Sequence, residues 1–150
     1  MLEISSTESR VTQMLLAGDH PTLETLRRQF DQARVSERDM TGVGFFTSFE
    51  VHSDNVLRVE PSGRWVIGDV CADFDEVKYG CGFKLFVDNG VIGTLECHLW
   101  GDDRMPLNPQ FTRLYYVHQP NPPGIAETKE RDMEFVKAML LDVSTRKVSK

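Results

Sequence analysis

Cysteine is scarce in this sequence, and its few copies form no recognisable pair. The chain has three cysteines in 150 residues, Cys71, Cys81 and Cys97. An odd number without C-x-x-C spacing is a poor basis for a disulfide framework, and all three stand in apolar, strand-like segments. We therefore expect buried, reduced thiols in a cytoplasmic protein.

The sequence also lacks a long apolar run. No stretch approaches the roughly 20 apolar residues that a membrane-spanning helix needs. Residues 1–10 are polar and contain no apolar core of a secretory signal. We therefore expect neither a membrane anchor nor a secreted protein.

Basic residues are outnumbered by acidic ones. The chain has 17 Lys and Arg against 23 Asp and Glu, which gives a net charge of -6. Sequence-independent binding to nucleic acid requires clustered Lys and Arg, and so does binding to an anionic membrane. The charge argues against both partners. It suits a basic protein partner, although solubility alone also explains an acidic surface.

Recognised catalytic and phosphate-binding motifs are missing as well. The sequence contains no GxxxxGK[ST], no strand-linked GxGxxG, no HExxH, no GxSxG and no zinc-finger spacing. Gly42-Val-Gly44 and Gly80-Cys-Gly82 are isolated pairs in strand context, where glycine usually marks a bulge. The sequence therefore favours a binding function over an enzyme, and we expect no cofactor.

What the sequence does contain is enough apolar material for one core, because 40% of its residues are hydrophobic and 27% are charged. Two helices are predicted at the start. Ser5-Ser-Thr-Glu8 has capping-box spacing, and Pro21 suits the first turn of a second helix. The apolar face of that second helix consists of Leu23, Leu26, Phe30 and Ala33.

After residue 41 the pattern changes to strands. Aromatic and β-branched runs between turn residues predict strands over 41–51, 56–59, 64–74, 81–87, 91–97 and 111–118. A last helix is marked by Met133, Val136, Leu140 and Val143. The predicted fold is α+β, with two N-terminal helices, a mostly antiparallel sheet of about six strands and one C-terminal helix. Residues 1–118 form the α+β domain, and 119–150 form a Pro-rich linker and a helix docked on that domain.

Asn89-Gly90, between two apolar runs, predicts a β-hairpin. A two-residue turn mixes polar and apolar side chains on each face. A three-residue loop with Gly90 as a left-handed bulge residue places polar Lys84, Thr94 and Glu96 together. It also places a set of apolar side chains on the opposite face. We prefer this register because the register of a strand follows from which face is buried. That set is Phe83, Leu85, Val87, Val91 and Leu95.

The end of this hairpin carries the best candidates for chemistry. Glu96 and His98 share one strand face, and Asp102 and Asp103 follow in a loop. Together they could form an acid/base group or an oxygen and nitrogen metal site, and they are also what an ordinary exposed sheet face looks like. We assign no catalytic residue and no metal.

Aromatic residues surround the same loop, which indicates a binding surface or ordinary sheet packing. They are Trp100, Phe111, Tyr115 and Tyr116. The predicted binding residues are Glu96, His98, Trp100, Asp102, Asp103 and Tyr116.

Three functions follow. The first is a cytoplasmic protein-binding module, such as an immunity-type inhibitor or an adaptor. The alternatives are a small enzyme or ligand-binding domain with a site at Glu96, His98 and Asp102, and a structural role as a homodimer.

Four segments of the chain resemble a family of small uncharacterised bacterial proteins. These segments are Leu16–Glu24, Thr41–Thr47, Gly82–Val87 and Gly93–Glu96. Family members carry a GxGFxLFVxxGxxxxLEG hairpin and a following Y-x-Y-x-x-x-x-W-P loop. Here Cys97 replaces the usual glycine, His98 and Trp100 replace aromatics such as tyrosine, and Met105-Pro106 replaces Trp-Pro. The resemblance covers residues 10–118 and implies a fold but no activity.

Overall fold

Two helices, a run of strands and a last helix follow one another along the chain, as the sequence predicts. The computed structural model describes residues 2–52, 56–118 and 126–148, with side chains up to Leu140. The elements are α1 (Ser6–Leu15), α2 (Pro21–Asp31), β1 (Ala33–Met40), β2 (Gly44–Val51), β3 (Arg64–Phe74), β4 (Cys81–Asp88), β5 (Val91–Leu99), β6 (Phe111–His118), β7 (Ala126–Thr128) and α3 (Met133–Val148). The strands form one antiparallel sheet in the order β1-β2-β5-β4-β3-β6-β7. The α+β prediction is confirmed, with seven strands in the described ranges rather than about six.

The capping box at the start of α1 is formed, and it also joins the helix to the sheet. Glu8 accepts a hydrogen bond from Ser5 N at 2.8 Å and donates its own N–H to Ser5 Oγ at 3.1 Å. The buried carboxylate further accepts bonds from Thr47 Oγ1 at 2.6 Å and Arg38 Nε at 2.7 Å. Burial raises the pKa of Glu8, but these hydrogen bonds outweigh it, so the pKa lies below its ordinary value.

The second helix begins as predicted and ends earlier. His20 is its N-cap and accepts a hydrogen bond from Thr22 N at 3.1 Å, and Pro21 occupies the first turn. Ala33, expected on the helix, instead begins β1. This polar strand was not predicted because Val35 is its one fully buried residue. Such a composition is typical of an edge strand, which is held by pairing with its neighbour rather than by its own apolar alternation.

The prediction of a strand over 56–59 is wrong. Backbone groups of this segment form hydrogen bonds with the Gln29 side chain and with the hairpin turn instead of with another strand. The buried Gln29 amide donates to Leu57 O at 2.8 Å and to Gly90 O at 2.9 Å. Val59 N donates to the same Gly90 O at 3.0 Å. Gln29 Oε1 accepts from Ile92 N at 2.9 Å. Residues 56–59 therefore join α2 to the hairpin without entering the sheet.

The hairpin turns at Asn89-Gly90 as predicted, but the preferred register is wrong. Asn89 and Gly90 have φ of 51° and 82°, and Asp88 pairs with Val91, so the loop has two residues. A bulge at Gly93 then shifts the register. A Cβ on Gly93 would lie 2.2 Å from Asp88 Oδ2, so a larger residue there has to displace the Asp88 side chain. The predicted pairs do not form, because Leu95 lies opposite Leu85 and Val91 opposite Asp88. The bulge nevertheless keeps most of the predicted apolar face together: Phe83, Leu85, Val87 and Leu95 are buried, whereas Val91 is only half-buried.

Beyond β6, the chain adds a strand that the sequence did not predict. β7 covers only Ala126–Thr128 and pairs with β6. The predicted Pro-rich linker over 119–124 lies outside the described residues. Such a short strand directly after prolines has no local pattern of its own.

The three helices pack on one face of the sheet, which we call the inner face. α1 packs on β3 and β4, α2 on β5, and α3 on β3. Val11, Leu23 and Val136 of the helices join Phe83 and Leu95 of the sheet in one buried cluster. The other side, which we call the outer face, has no helix over it in the described part of the chain. No helix of the described ranges is long and apolar enough to cross a membrane.

A buried ion pair fixes α3 to this inner side. A bulge between Ile67 and Val70 interrupts β3 at Asp69. Arg131 donates to both carboxylate oxygens of Asp69, at 2.9 Å and 2.8 Å, and donates to Ala17 O at 2.7 Å. The side chain of Asp69 is 0% exposed and that of Arg131 is 6% exposed. Burial raises the pKa of Asp69, and the hydrogen bonds from Arg131 only partly counteract this.

We predict that Arg131→Met destabilises the protein by about 3–5 kcal/mol, because it leaves a buried carboxylate without its partner. Urea unfolding followed by circular dichroism measures this loss. The double variant Asp69→Leu/Arg131→Met removes both charges and should recover at least about half of the loss. A single variant as stable as the parent chain, or a double variant no better than the single one, would contradict this role.

Candidate functional site

Three of the predicted binding residues come together on the outer face. Glu96 and His98 both point outward from β5 and are half-buried. Glu96 lies opposite Phe46 of β2 and Lys84 of β4. Their shared face follows from the alternation of side chains along one strand.

Trp100 follows β5 directly and completes this group. Its ring meets the His98 ring edge-on, with centroids 4.5 Å apart and an angle of 82° between the planes. The indole covers Gly82 of β4, where an added Cβ would lie 2.6 Å from Trp100 Cζ2. Gly82 therefore allows the indole and the imidazole to lie against the sheet.

The other three predicted residues have different surroundings. Asp103 accepts a hydrogen bond from Lys78 N at 2.7 Å and so joins two loops. Asp102 is exposed beside it. Tyr116 faces inward, where its hydroxyl donates to Met14 O at 2.7 Å. The predicted set is therefore divided between the outer face, the loop and the inner face.

The pKa of His98 is shifted from its ordinary value. Burial lowers the pKa of His98, Lys84 lowers it further, and Glu96 raises it in part. The net effect is a pKa below the ordinary value, so the ring is neutral at pH 7. Its Nδ1 is buried and has no hydrogen-bond partner in the described chain. No group of three or more His, Cys, Asp or Glu side chains among the described residues is placed to hold a metal ion.

The outer face also carries aromatic residues stacked under arginines, which the sequence did not reveal. The Arg64 guanidinium lies 4.2 Å from the Phe86 ring centroid, and its Nε lies 3.2 Å from an oxygen of Asp88. Arg64 and Phe86 stand on different strands, so only the pairing of the sheet reveals them as neighbours.

The same arrangement recurs at the opposite side of this face. The Arg113 guanidinium lies 4.1 Å from the Tyr115 ring centroid. Arg113 also pairs with Asp73 at 2.9 Å and with Glu127 at 2.5 Å. Both arginines are thus held by an aromatic ring and a carboxylate together.

A groove of about 240 Å³ crosses the outer face between β1 and Arg64. It is lined by Glu37, Asp39, Phe46, Ser48, Arg64 and Thr94. The carboxylates of Glu37 and Asp39 are exposed, and neither forms an ion pair with a described residue. The sequence did not point to Glu37 or Asp39, because it did not predict the strand that carries them.

A second groove, of about 350 Å³, lies on the helix side between α1 and α2. Its one basic side chain, Arg27, donates to Leu16 O at 2.6 Å and to Gly18 O at 3.0 Å. Arg27 is therefore engaged in closing the end of α1. The outer face combines half-buried aromatic rings with the exposed carboxylates of Glu37 and Asp39, and it is the better candidate site.

Comparison of the chain with protein-family models, curated proteins and solved structures finds no match. The resemblance of the hairpin to a bacterial family therefore stays a prediction.

We predict that His98 titrates below 6.5, the ordinary value of a histidine. NMR spectra of the imidazole rings across a pH series measure this pKa, with His98→Gln assigning the signal. Glu96→Gln removes a favourable charge and should lower the pKa further, whereas Lys84→Met removes an unfavourable charge and should raise it. A pKa at or above 6.5 in the parent chain would show that the ring is solvated rather than pressed against Trp100.

Proposed function

We propose that this protein is a protein-binding module, an adaptor or an immunity-type inhibitor, that binds a basic protein through the outer face of its sheet. One observation carries the proposal. Half-buried aromatic rings and unpaired carboxylates share a sheet face over which no described helix packs.

The width of this surface favours a macromolecule over a small ligand. The half-buried rings of Phe46, Phe86, His98, Trp100 and Tyr115 extend from β2 to β6. Those five adjacent strands span roughly 20 Å at the usual spacing between strands. Aromatic side chains with exposed edges supply much of the binding energy at protein interfaces, and an interface of ordinary size covers such an area.

The charges on the outer face favour a basic partner. Arg64 and Arg113 are already paired with carboxylates of the same face. Glu37 and Asp39 form no ion pair within the described chain, and the whole chain carries a net charge of -6. Complementary charge speeds association and excludes wrong partners.

We also place the protein in a reducing compartment, the cytoplasm. Cys71, Cys81 and Cys97 are buried free thiols. Burial raises the pKa of the Cys71 thiol to about 12, so it stays protonated. Such thiols suit core packing rather than reactivity.

The second candidate is a small enzyme or ligand-binding domain at Glu96, His98 and Asp102. The position of the His98 ring beside Glu96 favours it, since the buried Nδ1 of this ring has no hydrogen-bond partner in the described chain. However, no hydrogen bond joins these three residues in the described chain, and Asp102 is exposed in the loop. The geometry therefore supports this candidate less well.

The proposal is tested by changing the charge of one outer-face residue in both directions. Val66 is 36% exposed on the outer face of β3. Val66→Lys should lower the affinity for a basic partner by about tenfold or more through like-charge repulsion, whereas Val66→Glu should retain that affinity. Partners captured from the native host are identified and purified, and their affinity for each variant is measured by calorimetry.

Ala138→Lys, exposed on α3, is the control that adds the same charge on the helix side. It should bind as the parent chain does. Partners with an acidic surface, or no partner whose binding depends on residue 66, would contradict the proposal. A homodimer seen by light scattering and broken by Val66→Lys would replace the basic partner with a second copy of the chain.

A further inference from the structure

The outer face repeats one arrangement of an aromatic ring beside a carboxylate. At two places an arginine of the chain itself fills it: Arg64 stacks on Phe86 beside Asp88, and Arg113 stacks on Tyr115 beside Asp73. Each guanidinium lies within 4.2 Å of a ring centroid and within 3.2 Å of a carboxylate oxygen. The outer face thus holds a planar cation between a ring and a carboxylate at two places.

Phe46 has the same ring and carboxylates without an arginine of the described chain above it. Asp39 of β1 lies directly opposite Phe46 on one side, and Glu96 of β5 lies opposite it on the other. Cβ atoms of directly opposite residues are about 5 Å apart. Glu37 stands one position along the same face, opposite Ser48. The ring is half-buried, so part of it stays open to the groove.

We propose that the groove over Phe46 binds an arginine side chain of the partner protein. The proposal rests on the proposed function and names the group that the outer face recognises. The guanidinium stacks on Phe46 and donates hydrogen bonds to the carboxylates of Asp39 and Glu37.

The shape and chemistry of the groove favour arginine over lysine. Its volume of about 240 Å³ accommodates one extended side chain. A guanidinium is planar, so it can stack on a ring and donate to carboxylates at its edge at the same time. A lysine ammonium is more strongly hydrated and does not stack as a plane. The hydroxyls of Ser48 and Thr94 line the groove as further acceptors.

Arg64 forms the far wall of the groove and does not oppose a second cation. Its charge is balanced by Asp88, 3.2 Å away, and its guanidinium lies over Phe86. Lys84 of β4 lies opposite Glu96, so Glu37 and Asp39 supply most of the negative charge that a second cation meets. A partner arginine would enter from the β1 side, where Glu37 and Asp39 are exposed.

The test uses the full chain and a short probe, an acetylated and amidated Gly-Arg-Gly peptide. Amide NMR spectra are recorded as the peptide is added, together with Gly-citrulline-Gly and Gly-Lys-Gly peptides as probes. Citrulline has the shape of arginine without its charge. We expect signals of β1, β2 and β5 around Phe46 to move with arginine, about two- to fivefold weaker binding with lysine, and no binding with citrulline.

Variants locate the effect. Phe46→Leu removes the ring but keeps an apolar side chain, and Asp39→Asn removes one charge without changing shape. Each variant should lower the affinity for the arginine peptide by about two- to fivefold, which is the effect of losing one exposed cation–π contact or ion pair. Glu24→Gln neutralises an exposed carboxylate on α2 and should leave binding unchanged. Unchanged spectra elsewhere in each variant show that the fold is kept.

Equal shifts with citrulline, shifts centred away from Phe46, or no response to Phe46→Leu would overturn the arginine proposal. Failure of this proposal is distinguishable from failure of the proposed function. If substitution of Val66 still changes the affinity of a basic partner while the arginine peptide does not bind in the groove, the outer face binds proteins but has no arginine site at Phe46. If neither depends on the outer face, both proposals fall.

Discussion

The buried ion pair between Asp69 and Arg131 holds three parts of the chain on the same side of the sheet. Arg131 reaches the bulge in β3 and the end of α1 at once, and it stands just before α3. A buried charge without its partner is costly, so these parts are held in one arrangement. Gln29 does the same for α2 and the hairpin, and Glu8 for α1 and β2. Because these links all lie on the inner side, they hold the helices there, and no helix of the described chain covers the outer face.

Local signals explain how much of the fold could be predicted from the sequence. The capping box at Ser5, the start of α2 at Pro21 and the bounds of β3 and β6 are confirmed, because each depends on residues close together in the chain. β1 depends instead on pairing with β2, and its polar residues give no signal of that pairing. The register of the hairpin depends on the two-residue turn and on the bulge at Gly93, which a pattern of apolar residues does not contain.

The candidate site shows the same division. Glu96 and His98 alternate on one strand, so their common face could be predicted, and Trp100 follows the same alternation. Tyr115 and Tyr116 are neighbours on β6 with similar side chains, and composition cannot tell which one faces outward. The closeness of Asp39, Phe46 and Glu96 comes from the order β1-β2-β5, which places Glu96 opposite Phe46 although the two residues are far apart in the sequence.

The central claim is that the outer face is open in the intact chain, and the two tryptophans test it most directly because they stand on opposite faces. Trp65 is 7% exposed on the inner side, where its Nε1 donates to Pro61 O, whereas Trp100 is half-buried on the outer side. Acrylamide quenching is measured for the two single-tryptophan variants, Trp65→Phe and Trp100→Phe. We expect acrylamide to quench Trp100 several-fold more steeply than Trp65. Equal protection of the two rings would mean that another part of the chain, or a second copy, covers the outer face, and would contradict the central claim.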